Sequence, residues 1–244
     1  MKQSLFYITE NTALTNNVYK MCLEGDTSAI TSSGQFINIK IDSLFLRRPI
    51  SVFDKNDTTV TIIYKVVGVG TEKMSQMRIG DTLDVLTGLG NGYNTSLCKN
   101  HAVLLGGGVG VPPLYMLAKT LISEGKQVTA ILGFNTKDEV FAEDDFKALG
   151  VKTVVTTVDG SYGTKGFVTN ALPEEYDYFF TCGPEPMLKA VYKSTKTSGQ
   201  FSFEERMGCG FGACMGCSCK TVTGYKRICK DGPVLEKEEI LWED

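Results

Sequence analysis

The sequence predicts a multi-domain β plus α/β chain: a β domain, then a parallel α/β domain, then a small C-terminal cysteine-rich module. Three observations carry this. Up to about residue 98, segments such as "GQFINIKI" and "TVTIIYKVV" alternate apolar and polar side chains with many β-branched residues, as half-buried strands do. Beyond it, strand-like and helix-like segments alternate, the pattern of a parallel sheet covered on both faces. From Phe201 that pattern dissolves, and five of the eight cysteines fall between Glu205 and Cys229. The expected boundaries are 1–98, 99–200 and 201–244, with no internal repeat.

Within the β part, "DKNDTT" is a turn between two strands. "LRRPISVF" sets Arg47 and Arg48 before Pro49, a residue unsuited to a central strand position. An arginine fork suits a diphosphate, although a solvated basic edge is the plainer reading. "VVGVGTEKMSQM" places Gly70 and Thr71 at a helix start, a candidate anion cradle.

The α/β part opens with "HAVLLGGGVGVPPLYMLAKTLISEG": buried strand, glycine turn, helix. Pro112 and Pro113 suit a first helical turn and Gly125 an ending, with Leu114, Leu117, Ala118, Leu121 and Ile122 on one face. Strands at "QVTAILGF", "KTVVTTV" and "DYFFTCG" follow, with helices at "EVFAEDDFKALG" and "EPMLKAVYKSTK". Gly106, Gly107, Gly108 and Gly110 lie where a strand hands over to a helix, the place for a phosphate loop. The dinucleotide fingerprint is incomplete, because Val111 stands where a third glycine belongs. Cys182, Gly183 and Pro184 form a second such turn at the carboxyl end of a strand, where ligands of parallel sheets bind.

The net charge of −3 offers no basic face for nucleic acid. "MKQSLFYITENTAL" lacks the basic start and apolar run of a signal peptide. The apolar stretch from Ala102 to Ala118 is interrupted by four glycines and two prolines, so it is no membrane span. A cytoplasmic location is expected. Thiols are reduced there, which turns clustered cysteines from disulfides towards metal or redox chemistry.

Cys209, Cys214, Cys217 and Cys229 give C-x4-C-x2-C-x11-C, the ligand order of plant-type [2Fe–2S] proteins. Gly208, Gly210, Gly212, Ala213 and Gly216 keep bulky side chains off the loop, so backbone N–H groups can approach sulfur. A structural zinc site normally has two separated C-x2-C knuckles, and only one occurs here. Cys219 is a competing ligand two residues from Cys217. A fourth ligand from a distant segment favours Cys229, leaving Cys219 packed as a small apolar residue. Cys22 and Cys98 read as ordinary thiols, and His101, the single histidine, as a turn residue. The final "EKEEILWED" reads as a solvated face, with Leu241 and Trp242 packing or touching a partner.

Taken in order, "RRPIS", "IIYKVVGVGT", "TGLGNGY", "GGGVGVPPL", "DGSYGTKGFVT", "CGPEPML" and "ERMGCGFGACMGC" resemble the flavodoxin/ferredoxin-NADP reductase superfamily. Within it, the chain resembles electron-transfer subunits of the NAD-dependent, two-subunit (B-type) dihydroorotate dehydrogenases, over essentially its whole length. The resemblance implies an N-terminal antiparallel β barrel holding FAD, a parallel α/β domain binding NAD, and a small C-terminal [2Fe–2S] module. Arg48, Pro49, Ile50 and Ser51 would line the flavin and its diphosphate, with Ile63, Tyr64, Lys65, Gly70 and Thr71 completing the site. Many relatives in the superfamily carry tyrosine where this chain has Ile50, so Tyr64 is the candidate for stacking on the flavin. Glu204, Glu205 and Arg206 would settle the flavin or the cluster loop.

The implied function is a relay in pyrimidine (UMP) biosynthesis. An FMN-containing catalytic partner oxidises dihydroorotate, and its electrons cross [2Fe–2S] and FAD to NAD+, two copies of each chain forming a heterotetramer. No general acid or base of this chain is required. By residues alone NAD and NADP stay open, since "GFNTKDEV" holds both Lys137 and Asp138. The alternative is the small subunit of a flavin-based NAD(P)H:ferredoxin or sulfide oxidoreductase. Those proteins take aspartate as first cluster ligand, where this chain has Cys209.

Overall fold

The computed structural model describes residues 1–242. Strands β1 (Lys2–Ala13), β2 (Val18–Glu24), β3 (Phe36–Ile39), β4 (Arg48–Lys55), β5 (Thr59–Lys65) and β6 (Thr82–Leu89) close into an antiparallel barrel, in the order β1-β2-β5-β4-β3-β6. The two-residue period sorts the side chains: Phe6 and Ile8 are buried inside, while Leu5 and Tyr7 stay 61% and 54% exposed. Closure leaves no long strand edge to recruit another chain.

The wall is one-sided in a single stretch. Arg48 to Ser51 pair with β3, but the pairing of β4 with β5 begins only at Val52. Pro49 occupies this stretch, where its missing N–H costs no ladder bond. Helix α1 (Val69–Ser75) follows β5 and sends Met74 into the barrel core.

The second sheet is built on β7 (His101–Gly107), β8 (Gln127–Phe134), β9 (Lys152–Thr157), the short β10 (Thr164–Lys165), β11 (Tyr178–Cys182) and β12 (Gly199–Ser202), all parallel. Helices α2 (Pro113–Ser123), α3 (Glu143–Ala148) and α4 (Glu185–Ser194) connect them. α2 buries Leu114, Leu117, Ala118 and Leu121, while Ile122 at the rim of that face stays 37% exposed. Gly125, with φ +76°, turns the chain after it. α3 is shorter than "EVFAEDDFKALG" suggests. Ala142 takes a left-handed φ of 60°, so the helix starts only at Glu143, and Lys137–Glu139 form a separate 3-10 turn.

After β12 the cysteine loop leads into a hairpin, β13 (Ser218–Thr221) and β14 (Gly224–Arg227), and then β15 (Val234–Glu236) returns to pair antiparallel with β12. The sheet order is β10-β9-β8-β7-β11-β12-β15. The cysteine module is therefore an insertion between two neighbouring strands, and the sequence boundary at residue 200 falls inside β12. In "EKEEILWED" the solvated-face reading fits Glu236, Glu238 and Leu241, which are exposed, and is corrected at Lys237 and Ile240. Lys237 donates to the Thr195 carbonyl at 2.6 Å and covers the Tyr192 ring, and Ile240 is buried. Trp242 packs on Tyr192 and Phe203, and the last two residues of that stretch lie outside the described residues.

The barrel packs on two neighbours. Val18, Phe53 and Ile63 share an apolar cluster with the α2 side of the second sheet. Phe36, Leu86 and Leu89 share another with Phe179, Phe201 and Ile228, and so with the cysteine module. At the first junction Phe53 stacks on Tyr115 with centroids 4.3 Å apart, beside a Lys119–Asp54 pair at 2.7 Å. Tyr115→Ala should lower unfolding stability by about 2–3 kcal/mol, because a stacked ring and its contact area are lost. Lys119→Ala should cost under about 1 kcal/mol, since both partners are partly exposed to solvent. Urea denaturation of the two variants checks that order.

Candidate redox site

Arg48 starts the one-sided stretch of β4 and crosses the first turn of α1. A Cβ on Gly70 would collide with Arg48 Nε, so glycine is what lets the arginine lie there. Its Nη1 donates to the Leu46 carbonyl at 2.6 Å. The neighbouring arginine is engaged elsewhere, for Arg47 pairs with Asp84 at 3.0 Å and also donates to the Asp84 and Asn38 carbonyls. The adjacent pair therefore divides into a barrel clamp, Arg47, and an arginine lying over α1, Arg48, that bonds to the Leu46 and Arg47 carbonyls. Thr71 closes its own turn, accepting from Val67 N–H at 2.9 Å and donating to the Gly68 carbonyl at 3.0 Å. Gly70→Ala should weaken FAD retention about tenfold or more by displacing Arg48 from a charged contact, measured by flavin fluorescence on dilution.

The expectation for Tyr64 is corrected by its burial. Strand alternation turns its ring into the barrel, where it is 1% exposed, stacks on Tyr19 and donates to Asn11 Oδ1 at 3.0 Å. That ring has no face open to a cofactor. Ile63 points the other way into the junction with α2, Ile50 packs partly against the barrel core, and Lys65 reaches the next cavity.

In the second sheet the strand order reverses between β7 and β11, and a cavity of about 500 Å³ lies at their carboxyl ends. Gly107, Gly108 and Gly110 line it from one turn, Gly183 and Pro184 from the other, with Lys65 from the barrel. The glycines serve different needs. Gly110 lies against the backbone of Cys182 and Gly183, Gly107 against Met187, and Gly106 against Val111, so side chains there would force the turns apart. Gly108, with φ +51°, leaves open space where a Cβ would stand. Pro112 and Pro113 offer no N–H, and the amides of Val111, Leu114 and Tyr115 bond within the turn. Cys182 is buried beside it, and burial pushes its thiol well above the usual range.

Among the described residues the four cysteines stand as two pairs, with no closed group of three or more metal-ligating side chains. Cys209 and Cys214 have sulfurs 3.5 Å apart. The β13–β14 hairpin brings Cys229 back to Cys217, whose Sγ accepts from the Cys229 N–H at 3.4 Å. Cys219, inside β13 opposite Lys226, packs against the apolar cluster, and burial raises its thiol pKa.

The loop fits an iron–sulfur cluster by its donors. Burial opposes ionisation of Cys209, yet the N–H groups of Cys214, Phe211 and Ala213 overcome it and hold the thiol down at about 6. Burial and the neighbouring Cys217 push Cys229 up to about 12, the direction expected for a thiol that needs a metal to ionise it. A Cβ on Gly208 or Gly216 would stand 3.5 or 3.7 Å from Cys214 Sγ, in ordinary van der Waals contact.

Residues 204–241 match the iron–sulfur cluster binding domain of dihydroorotate dehydrogenase B, and residues 104–193 the oxidoreductase NAD-binding domain. Over an alignment of 256 positions that covers 99% of each chain, the sequence is 43% identical to the dihydroorotate dehydrogenase B (NAD(+)) electron transfer subunit of Geobacillus sp. (strain WCH70). It is 46% identical to that of Fusobacterium nucleatum subsp. nucleatum over an alignment of 250 positions that covers 96% of each chain. The chain belongs to the dihydroorotate dehydrogenase B electron transfer subunit family.

Among solved structures, a chain of the NADH-dependent reduced ferredoxin-NADP oxidoreductase superposes with a TM-score of 0.90 at 31% identity, covering 98% of this chain and 90% of that one. A Neisseria gonorrhoeae ferredoxin NADP+ reductase shares the fold, with a TM-score of 0.69 at 19% identity, over 80% of this chain and 90% of that one. As a member of the dihydroorotate dehydrogenase B electron transfer subunit family, the chain is an NAD-dependent oxidoreductase subunit with FAD, [2Fe–2S] and NAD as cofactors.

Some of this family member's site was hidden in its sequence. In "GFNTKDEV" the acidic residue lining the cavity is Glu139, not Asp138: the 3-10 turn presents it, and its carboxylate accepts from Asn135 N–H and Nδ2. Glu204 lines both this cavity and a second one, of about 560 Å³, between α4 and β13. His101 opens β7, with Nε2 2.9 Å from Thr129 Oγ1, and takes no part in either cavity.

Proposed function

We propose that this chain is the electron-transfer subunit of a dihydroorotate dehydrogenase, working in the cytoplasm beside an FMN-containing catalytic subunit, two of each, in pyrimidine biosynthesis. The observation that carries the reading is the insertion of the cysteine module between β12 and β15, where it packs on the barrel and beside the switch-point cavity. When bound, the cofactors supply one-electron exchange at the cluster and hydride exchange with the nicotinamide, FAD converting between the two.

The residues of this chain bind and orient. Arg48, Pro49, Ile50 and Ser51 form the flavin wall, with Ile63, Tyr64 and Lys65 contributing backbone at the end of β5 and Gly70 and Thr71 closing the diphosphate end. Gly106, Gly107, Gly108, Gly110, Cys182, Gly183 and Pro184 shape the nicotinamide nucleotide cavity. Cys209, Cys214, Cys217 and Cys229 ligate the cluster. Phe211 and Met215, 43% and 62% exposed beside those ligands, suit a partner surface that keeps water from the transfer route. No helix of the described residues is long and apolar enough to cross a membrane. A ferredoxin-type sister function fits the solved neighbour, but a cysteine at position 209 and the higher identity to dihydroorotate relatives favour the first reading.

Co-purification with an FMN subunit tests this. The pair should reduce NAD+ with dihydroorotate, and this chain alone should support only NADH-dependent dye reduction. Oxidation of dihydroorotate by the isolated chain would overturn the division of labour, and a colourless, zinc-loaded protein would overturn the cofactors.

A further inference from the structure

All four side chains of β3 are buried, but against different neighbours. Ile37 and Ile39 face the barrel interior, whereas Phe36 lies with Leu86 and Leu89 in the apolar layer shared with the cysteine module. Asn38 belongs by alternation to that second face and is 1% exposed. A primary amide in such a layer is costly unless every polar atom is paired. Its Nδ2 donates to the Cys209 carbonyl at 3.3 Å, and its Oδ1 has no donor among the described residues. The orientation is forced, because a carbonyl only accepts.

On the ladder Asn38 stands opposite Pro49, in the stretch assigned to the flavin, and opposite Leu86 on β6. Gly210, with φ +79°, completes the contact, since a Cβ there would collide with Asn38 Nδ2. One buried amide thus joins the strand behind the flavin stretch to the first cysteine of the cluster loop.

We propose that Asn38 is a positioning residue that sets the Cys209 loop, and with it the cluster, in register with the flavin strand. This rests on the ligand assignment above. If packing were its role, leucine, of similar volume, would serve that apolar layer better. Packing therefore does not explain an asparagine at this position. With the cofactors bound, NADH would supply two electrons to the flavin as a hydride, and one-electron reduction of the cluster would leave the other electron on the flavin, so the two processes can be timed separately.

The test compares holo-protein carrying Asn38→Leu or Asn38→Asp with the parent, by electron paramagnetic resonance of the reduced cluster and by stopped-flow absorbance. Both variants should keep FAD bleaching by NADH within about twofold, while cluster reduction slows about tenfold or more and the resonance signal shifts. A folded Asn38→Leu protein with FAD but without iron gives the same answer. Parent-like signals and rates in both variants would overturn the proposal, as would failure of both to fold with FAD, which marks a purely structural residue. Gly210→Ala supplies a second arm: its Cβ would displace the Asn38 amide, so cluster reduction should slow or cluster content fall, and parent-like behaviour counts against the contact. Parent protein without acid-labile sulfide would instead remove the cluster assignment itself.

Discussion

Cys214→Ser should yield a protein whose FAD is still bleached by NADH but which passes no electrons to a partner. Cys214 contributes twice to the loop, with its sulfur 3.5 Å from Cys209 Sγ and its N–H donating to that same sulfur. Serine keeps the N–H but replaces a soft thiolate by a hydroxyl that stays protonated at neutral pH. Losing an outer hydrogen-bond partner of a metal site costs about 10–100-fold, so losing a ligand should cut transfer on the order of 100-fold or more. The cavity proposed for the nicotinamide lies at the β7–β11 switch point, lined by other residues, so hydride exchange should stay within about twofold. Iron and labile-sulfide content, with the two rates, checks this. The same change at Cys219 should leave both rates intact, because that thiol packs on the apolar cluster. If Cys219→Ser destroys the cluster and Cys229→Ser spares it, the fourth ligand is misassigned.

Gly110→Ala should be the most damaging single methyl in the α/β half. The added Cβ would meet the carbonyl carbon and oxygen of Cys182, backbone atoms held by the pairing of β11 with β7. A flexible side chain could swing away; two adjacent parallel strands cannot separate without losing ladder bonds. Overpacking of this kind costs about 1–3 kcal/mol, with the upper end expected where backbone meets backbone. The distortion falls on the cavity wall, so affinity for NADH should drop about tenfold or more alongside. Guanidinium denaturation and NADH titration of the FAD-loaded protein measure the two effects. Gly108→Ala is the control: its Cβ meets nothing within 4 Å, and only its positive φ is strained. Parent-like stability in Gly110→Ala would show that the two turns can part.

Local pattern carried much of the fold. Alternation in "TVTIIYKVV" became β5, and the i, i+3, i+4 face from Leu114 to Leu121 became the buried side of α2, because those periods follow from backbone geometry alone. The cysteine spacing carried the cluster for a similar reason: ligands close in sequence must wrap one small object. Other roles were not legible. Nothing in "RRP" says that Arg47 clamps Asp84 while Arg48 crosses α1, since the two differ only in which side of the strand each leaves. Tyr64 failed as a stacking aromatic because the strand's period, set by partners far along the chain, turned it inward. Ala142 in a left-handed conformation cut α3 short, and no propensity announces that.

The sequence by itself determined the order of the three parts, the periodic elements and the thiol spacing, all properties of residues near one another along the chain. Only the tertiary structure decided that the cysteine module is an insertion closed by β15 on β12, and that Asn38 meets Cys209 across 171 positions. Such contacts depend on strand register and sheet order. Those are set by the simultaneous burial of apolar faces from distant segments, which no short stretch of sequence encodes.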